Sequence, residues 1–141
     1  MNKICTTIEQ SQKLIELGVD VNTADMFYAD LLVDGNHKYN LHPLESYGFK
    51  TFDETKLKTS DHLGFIPAWS LTVLLESMPL INEYNIEYRP IIEHYEDGGW
   101  ACKYYNEETR NTNDIYIRRY GKTPLDAAFE MVVWLKENNK L

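Results

Sequence analysis

Four histidines, His37, His42, His62 and His94, and two cysteines, Cys5 and Cys102, are the side chains of this sequence best suited to hold a metal or attack an electrophile. A strong zinc site pairs two close Cys or His ligands with a second close pair, and no such spacing occurs here. His37 and His42, five residues apart, would face opposite sides of one strand, and Asp61-His62 would join them only by folding back. The histidines read as solvated surface groups, and neither metal nor cofactor is expected. Cys102 and His94 fall on neighbouring predicted strands, which raises a nucleophile–base pair. A two-residue turn at Asp97-Gly98 or Gly98-Gly99 sets Cys102 on the face of Glu93 and Tyr95, with His94 pointing away. A three-residue loop sets it directly across from His94. A cysteine within a strand usually acts as a small hydrophobe, so no catalytic residue is assigned.

Binding chemistry is better represented. If Ile115 and Ile117 face the core, Tyr116, Arg118 and Tyr120 line the other face of their strand, joined by Lys103 and Tyr105 from the neighbour. Aromatic faces containing cations stack bases in single-strand binders and anchor protein partners. The competing reading is that the first hairpin or a second subunit simply covers this face. The formal charge of −8 and pI near 4.9 oppose attraction to nucleic-acid phosphates or anionic lipid. A protein partner or a second copy is therefore preferred over nucleic acid. Trp69 and Trp134 are further interface candidates.

These residues need elements to position them. Thr6-Thr7-Ile8-Glu9 fits a capping box, and Ile4, Ile8, Leu14, Ile15 and Leu17 give an apolar stripe that stops at Gly18, predicting a helix over 7–17. MFYADLLVDGNHKYNL carries apolar residues on both sides of Asp34-Gly35-Asn36, predicting a hairpin over 24–42. The stretch 42–65 has no sustained period and reads as an irregular surface excursion. Pro67 suits the first turn of a helix and Pro79 ends it, predicting a helix over 67–78. Strands are predicted at Glu87–Glu96, Trp100–Tyr105 and Asp114–Tyr120, with Pro90 confined to an edge or to the strand's start. Thr123-Pro124 opens a last helix, 124–138, whose apolar positions run nearly all round it. Such a helix must be covered on most sides, by the sheet and another element or by a second chain.

The expected fold class is α+β: an antiparallel sheet made of the hairpin and the three strands, packed with three helices. The length of 141 residues fits one domain, 1–141, with a core large enough to need no disulfide. Hydrophobic residues at 43% and charged residues at 26% give a globular balance rather than a disordered one. No apolar run reaches the roughly 20 residues of a membrane span, and MNKICTTIEQ lacks a signal-peptide core. A cytoplasmic protein with reduced thiols and no membrane partner is expected.

LIELGVDVN and GKTPLDAAFE each resemble a fragment of an ankyrin repeat. The repeat, however, needs a Gly turn soon after its TPL start and a period of about 33 residues. Here the helix continues unbroken through Met131 to Leu135, and strands separate the two fragments, so no solenoid follows. Over most of its length the chain resembles a group of small uncharacterised proteins of Bacteroides-type genomes, phages and mobile elements. The residues that carry this are CTTIEQSQKLIELGVDVNTADMFY, IPAWSL followed by an apolar helix, and TPLDAAFEMVVWL. The resemblance implies a stand-alone accessory domain and supplies no site residues. Residues 67–138 also resemble, in element order, a double-stranded-RNA-binding domain, but Asp126 and Glu130 stand where that family's last helix places lysines. The tail is similar to HicB-like antitoxin domains at the level of fold alone.

The function expected is that of a non-enzymatic interaction protein, homo-oligomeric or bound to a partner. The alternatives are a small enzyme using the His and acidic residues of the 42–65 loop, and a single-stranded nucleic-acid binder using the Tyr116/Arg118/Tyr120 face.

Overall fold

Thr7 begins the first helix, α1 (Ile8–Glu16), one residue later than the predicted cap. Its hydroxyl accepts the Gln10 N–H at 3.1 Å while the Gln10 side chain accepts the Thr7 N–H at 3.0 Å, closing a capping box. Thr6 is needed elsewhere. It is fully buried, bonds Ser11 at 2.8 Å and accepts the Trp69 N–H at 3.1 Å. At the other end Gly18 adopts φ +86°, and the Val19 N–H reaches back to the Leu14 carbonyl at 3.0 Å, the left-handed stop that the glycine announces. Of the predicted stripe Leu14 is fully buried, whereas Ile4 and Ile15 stand exposed.

The computed structural model describes residues 4–53, 64–106, 108 and 114–141. They form two compact units, Cys5–Val73, and Leu74–Leu141 together with Ile4. The fold is α+β with three helices and two antiparallel sheets.

In the first unit β1 (Met26–Val33) and β2 (Asn36–Pro43) form the predicted hairpin, turning at Asp34 and Gly35 with φ of 51° and 78°. Two successive positive φ angles make the turn whose twist matches the strands. The sheet order is β2-β1-β3, and β3 (Phe65–Ala68) corrects the expectation of a helix from residue 67. Pro67 fits because β3 is an edge strand, where one side of the backbone needs no donor. The helix, α2 (Leu71–Ser77), begins only after Ser70, whose N–H and hydroxyl both donate to Asp25, at 2.9 and 2.6 Å. The predicted surface excursion is also corrected over its described part. Leu44–Tyr47 form a short 3-10 helix, and Leu44, Phe49 and Phe52 bury themselves around Phe27. Phe65 packs tilted against the same ring at 4.8 Å. Residues 54–63, with His62, lie outside the described residues.

The second unit has the strand order β4-β5-β6-β7. β4 (Ile81–Glu83) was not anticipated; it turns into β5 (Ile86–His94) through Tyr84 and Asn85, both with positive φ. The predicted hairpin therefore belongs to a different sheet from the three later strands. β4 pairs with β5 only as far as Tyr88, so Pro90 lies where β5 has become an edge, as its missing N–H requires. β6 (Trp100–Asn106) and β7 (Ile115–Gly121) complete the sheet. The helix α3 (Pro124–Glu137), capped by the Thr123 hydroxyl, packs on β5, β6 and β7. Eight of its residues are buried with no second chain present.

Gly121 shows how closely helix and sheet join. A Cβ there would lie 2.3 Å from the Ala127 nitrogen. No helix among the described residues is long and apolar enough to cross a membrane.

Candidate functional site

The direction of that missing Cβ identifies the side of the sheet that α3 covers. Gly121 pairs with Trp100, so alternation along β6 turns Trp100, Cys102 and Tyr104 toward α3 and Ala101, Lys103 and Tyr105 away from it. Cys102 and Tyr104 are accordingly fully buried. The opposite face consists of three cross-strand rows. Glu93, Ala101 and Tyr120 form one, Ile91, Lys103 and Arg118 the next, and Arg89, Tyr105 and Ile115 the third.

Four of the five predicted binding residues, Lys103, Tyr105, Arg118 and Tyr120, meet on this open face. Tyr116 does not. Tyr104 pairs with Ile117 and Tyr105 with Ile115, which leaves Tyr116 as the extra residue of a bulge. A bulge breaks strict alternation, and Tyr116 turns to the covered side. Its ring meets Trp134 of α3 at 6.2 Å and Tyr88 at 5.2 Å, and its hydroxyl donates to Glu83 at 3.4 Å. Ile115, expected in the core, takes a place on the open face instead.

Glu93 and Tyr95 organise the open face. Glu93 accepts the Lys103 ammonium at 2.9 Å and sits 3.9 Å from the Arg118 guanidinium. Arg118 lies 5.8 Å from the centre of the Tyr95 ring and donates to its hydroxyl at 3.5 Å. Tyr95 and Tyr120 meet edge to face at 5.3 Å. The bond from Tyr95, together with Arg118, holds the Tyr120 phenol below its usual range, while the same bond raises Tyr95. Arg118 Nε is buried without a hydrogen-bond partner among the described residues. Around this network Ile91 is 39% exposed and Tyr120 52%, and the Arg89–Glu87 pair lies at the rim. Sequence reasoning missed Ile91, Glu93 and Tyr95. The five-residue connection from Tyr95 to Gly99 sets their face, closed by the Tyr95 N–H on the Gly99 carbonyl at 2.8 Å, and Asp97-Gly98-Gly99 suggests a tighter turn.

The same connection settles the cysteine question. Cys102 pairs with Ile92 and His94 with Trp100, so both register expectations are corrected. The His94 ring rests edge-on against Trp100 at 5.0 Å. Cys102 Sγ lies 3.8 Å from the Met78 sulfur, and burial pushes the thiol up to about 12, which removes the thiolate a nucleophile needs. Cys5 is likewise a free buried thiol, raised by burial and bonded to Tyr28 at 3.5 Å.

The two interface candidates separate. Trp69 is 1% exposed, and its Nε1 donates to Thr23 at 2.9 Å; its ring belongs to the first unit's interior and cannot be offered to a partner. Trp134 is half-buried, with Tyr116 against it. Of the described histidines, His37 bonds Asp30 at 2.8 Å, and His42 packs edge-on with Tyr47 at 5.2 Å and tilted on Phe27 at 5.5 Å. Among the described residues no three of His, Cys, Asp and Glu gather as a metal-ligand group. No family model, curated protein or solved structure matches this chain.

Proposed function

We propose that this chain is a non-enzymatic interaction protein that assembles as a homodimer, two copies meeting through the open face of the second sheet. The observation that carries this reading is the composition of that face. Tyr95, Tyr105 and Tyr120 supply rigid aromatic area, Ile91 and Tyr120 remain exposed, and Arg89, Lys103 and Arg118 are balanced by Glu87 and Glu93.

A face carrying both signs complements itself under a two-fold axis, because the carboxylates of one copy can meet the cations of the other. Two molecules of charge −8 repel one another over most approaches. Three cations against two carboxylates make this face a place where that repulsion is relieved. Sheets also pack face to face readily, about 10 Å apart, with their side chains interdigitating. The resemblance of the IPAWSL and TPLDAAFEMVVWL stretches to small proteins of phages and mobile elements supports an accessory role on such an element. Two buried free thiols fit a reducing compartment such as the cytoplasm.

A spin label tests the face directly. Attached through Tyr120→Cys, it would show dipolar coupling between copies; attached through Tyr84→Cys, at a turn that is 95% exposed, it would not. Equal coupling at the two sites, or none at position 120, would contradict the reading.

A further inference from the structure

β7 ends the second sheet, and no other strand of the described residues pairs with its outer side. The N–H and C=O groups along that side form a template for one more strand. The bulge at Tyr116 distorts the start of the edge, but Ile117–Gly121 pair regularly with β6 and leave five residues of even edge. The charged residues of the edge itself are of one sign. Arg118, Arg119 and Lys122 follow one another with no acidic residue between Ile115 and Thr123. Asp114, just before it, is engaged by the Tyr88 hydroxyl at 3.3 Å and the Asn106 amide at 3.0 Å.

A second copy is a poor occupant. An antiparallel pairing of two β7 strands centred on Arg118, on Arg119 or midway between them sets arginine opposite arginine, and like charges directly opposed destabilise a pair. A strand with carboxylates on both faces suits the edge better, because Arg118 points to the open face and Arg119, across from Cys102, to the α3 side. A cavity of about 280 Å³ lined by Arg118, Arg119, Tyr120 and Glu130 lies beside the edge. With Glu130 in its lining it suits an uncharged side chain of an added strand, the valine or threonine between carboxylates. Nucleic acid presents the same negative charge but cannot form a main-chain ladder, and the net charge of −8 repels a long polyanion.

We infer that the outer edge of β7 binds an extended acidic segment of another protein by strand addition, the incoming carboxylates meeting Arg118, Arg119 and Lys122. This goes beyond the homodimer and does not require it; a dimer would carry two such edges.

The test uses a fluorescent ten-residue peptide in which valine and threonine flank two pairs of adjacent glutamates. A lysine-for-glutamate version and a ten-nucleotide oligothymidylate serve as comparisons. The acidic peptide should bind saturably, protect β7 amides from hydrogen exchange, and lose about tenfold in affinity in the Arg119→Gln/Lys122→Gln variant. The lysine peptide should not bind. Both substitutions are at positions outside the buried core, so the variant should keep the wild-type unfolding midpoint. A single substitution, Arg119→Lys, should retain most of the affinity and separates loss of charge from loss of fold. No saturable binding, binding without β7 protection, binding indifferent to the double substitution, or tighter binding of the oligonucleotide would each overturn the inference. Repeating the titration on Ile91→Asp, a substitution on β5 away from the edge and designed to weaken the dimer, keeps failure of the dimer distinct from failure of the edge.

Discussion

Tyr116 and Arg118, which simple alternation along a strand would set side by side, lie on opposite faces of the second sheet. The bulge between Tyr104 and Tyr105 places Tyr116 against Trp134 of α3 and leaves Arg118 across from Lys103. The two tyrosines of β7 therefore do different work. Tyr116→Ala should lower stability by about 1–3 kcal/mol through lost packing and leave the solution mass unchanged. Tyr120→Ala should lower self-association with little change in the urea midpoint.

Gly121 is where strand and helix approach most closely. Because a Cβ there would meet the Ala127 nitrogen at 2.3 Å and Asp126 Cβ at 2.7 Å, Gly121→Ala should destabilise by about 1–3 kcal/mol. Gly99→Ala meets its nearest neighbour, the Gly121 carbonyl, at 3.4 Å and should cost clearly less. Urea unfolding of the two variants decides between them.

Trp69 is enclosed and its ring nitrogen is bonded. Trp69→Ala should cost about 3–5 kcal/mol, and Trp69→Phe less, the remaining loss coming from the smaller ring and the missing bond from the indole N–H to Thr23. Thermal unfolding measures both. Equal stability of Trp69→Ala and wild type would show that the ring is not in the core.

Glu83 and Lys140 form a 2.9 Å ion pair in the second unit. The bond to Lys140 lowers the Glu83 carboxyl and raises the Lys140 amine. A depressed carboxyl contributes stability above its unfolded value, about 4.3, and loses it as pH falls through the folded value. A raised amine contributes below about 10.4 and loses it as pH rises through the folded value. The stability difference between wild type and Lys140→Met should be flat through neutral pH and shrink at both extremes. A difference that grows on acidification would contradict the pairing.

Local signals were legible in the sequence where one or two residues decide the backbone. Asp34-Gly35 turned the first hairpin, Gly18 stopped α1, and Thr123-Pro124 started α3. Pro67 misled because proline tolerates both a helix start and an edge strand, and only the pairing of β3 with Met26–Ala29 decides between them. The run 44–53 lacks a period because Leu44, Phe49 and Phe52 enter the core from a 3-10 helix and the irregular backbone after it rather than from a strand or an α-helix. On the open face, Lys103, Tyr105, Arg118 and Tyr120 share one side of the sheet as alternation alone expects. Tyr116 was misplaced because a bulge leaves no mark in residue type. Glu93 and Tyr95 were missed because their face depends on the number of residues in a connection, and Gly98-Gly99 permits several.

Light scattering at several concentrations on wild type and on Ile91→Asp/Tyr120→Asp decides whether two copies meet through the open face. The wild-type mass should lie near twice that of the 16.5 kDa chain, and the double variant should be folded and monomeric. A wild type that remains monomeric at every concentration, or a double variant that keeps the dimer mass, would contradict assembly through the open face.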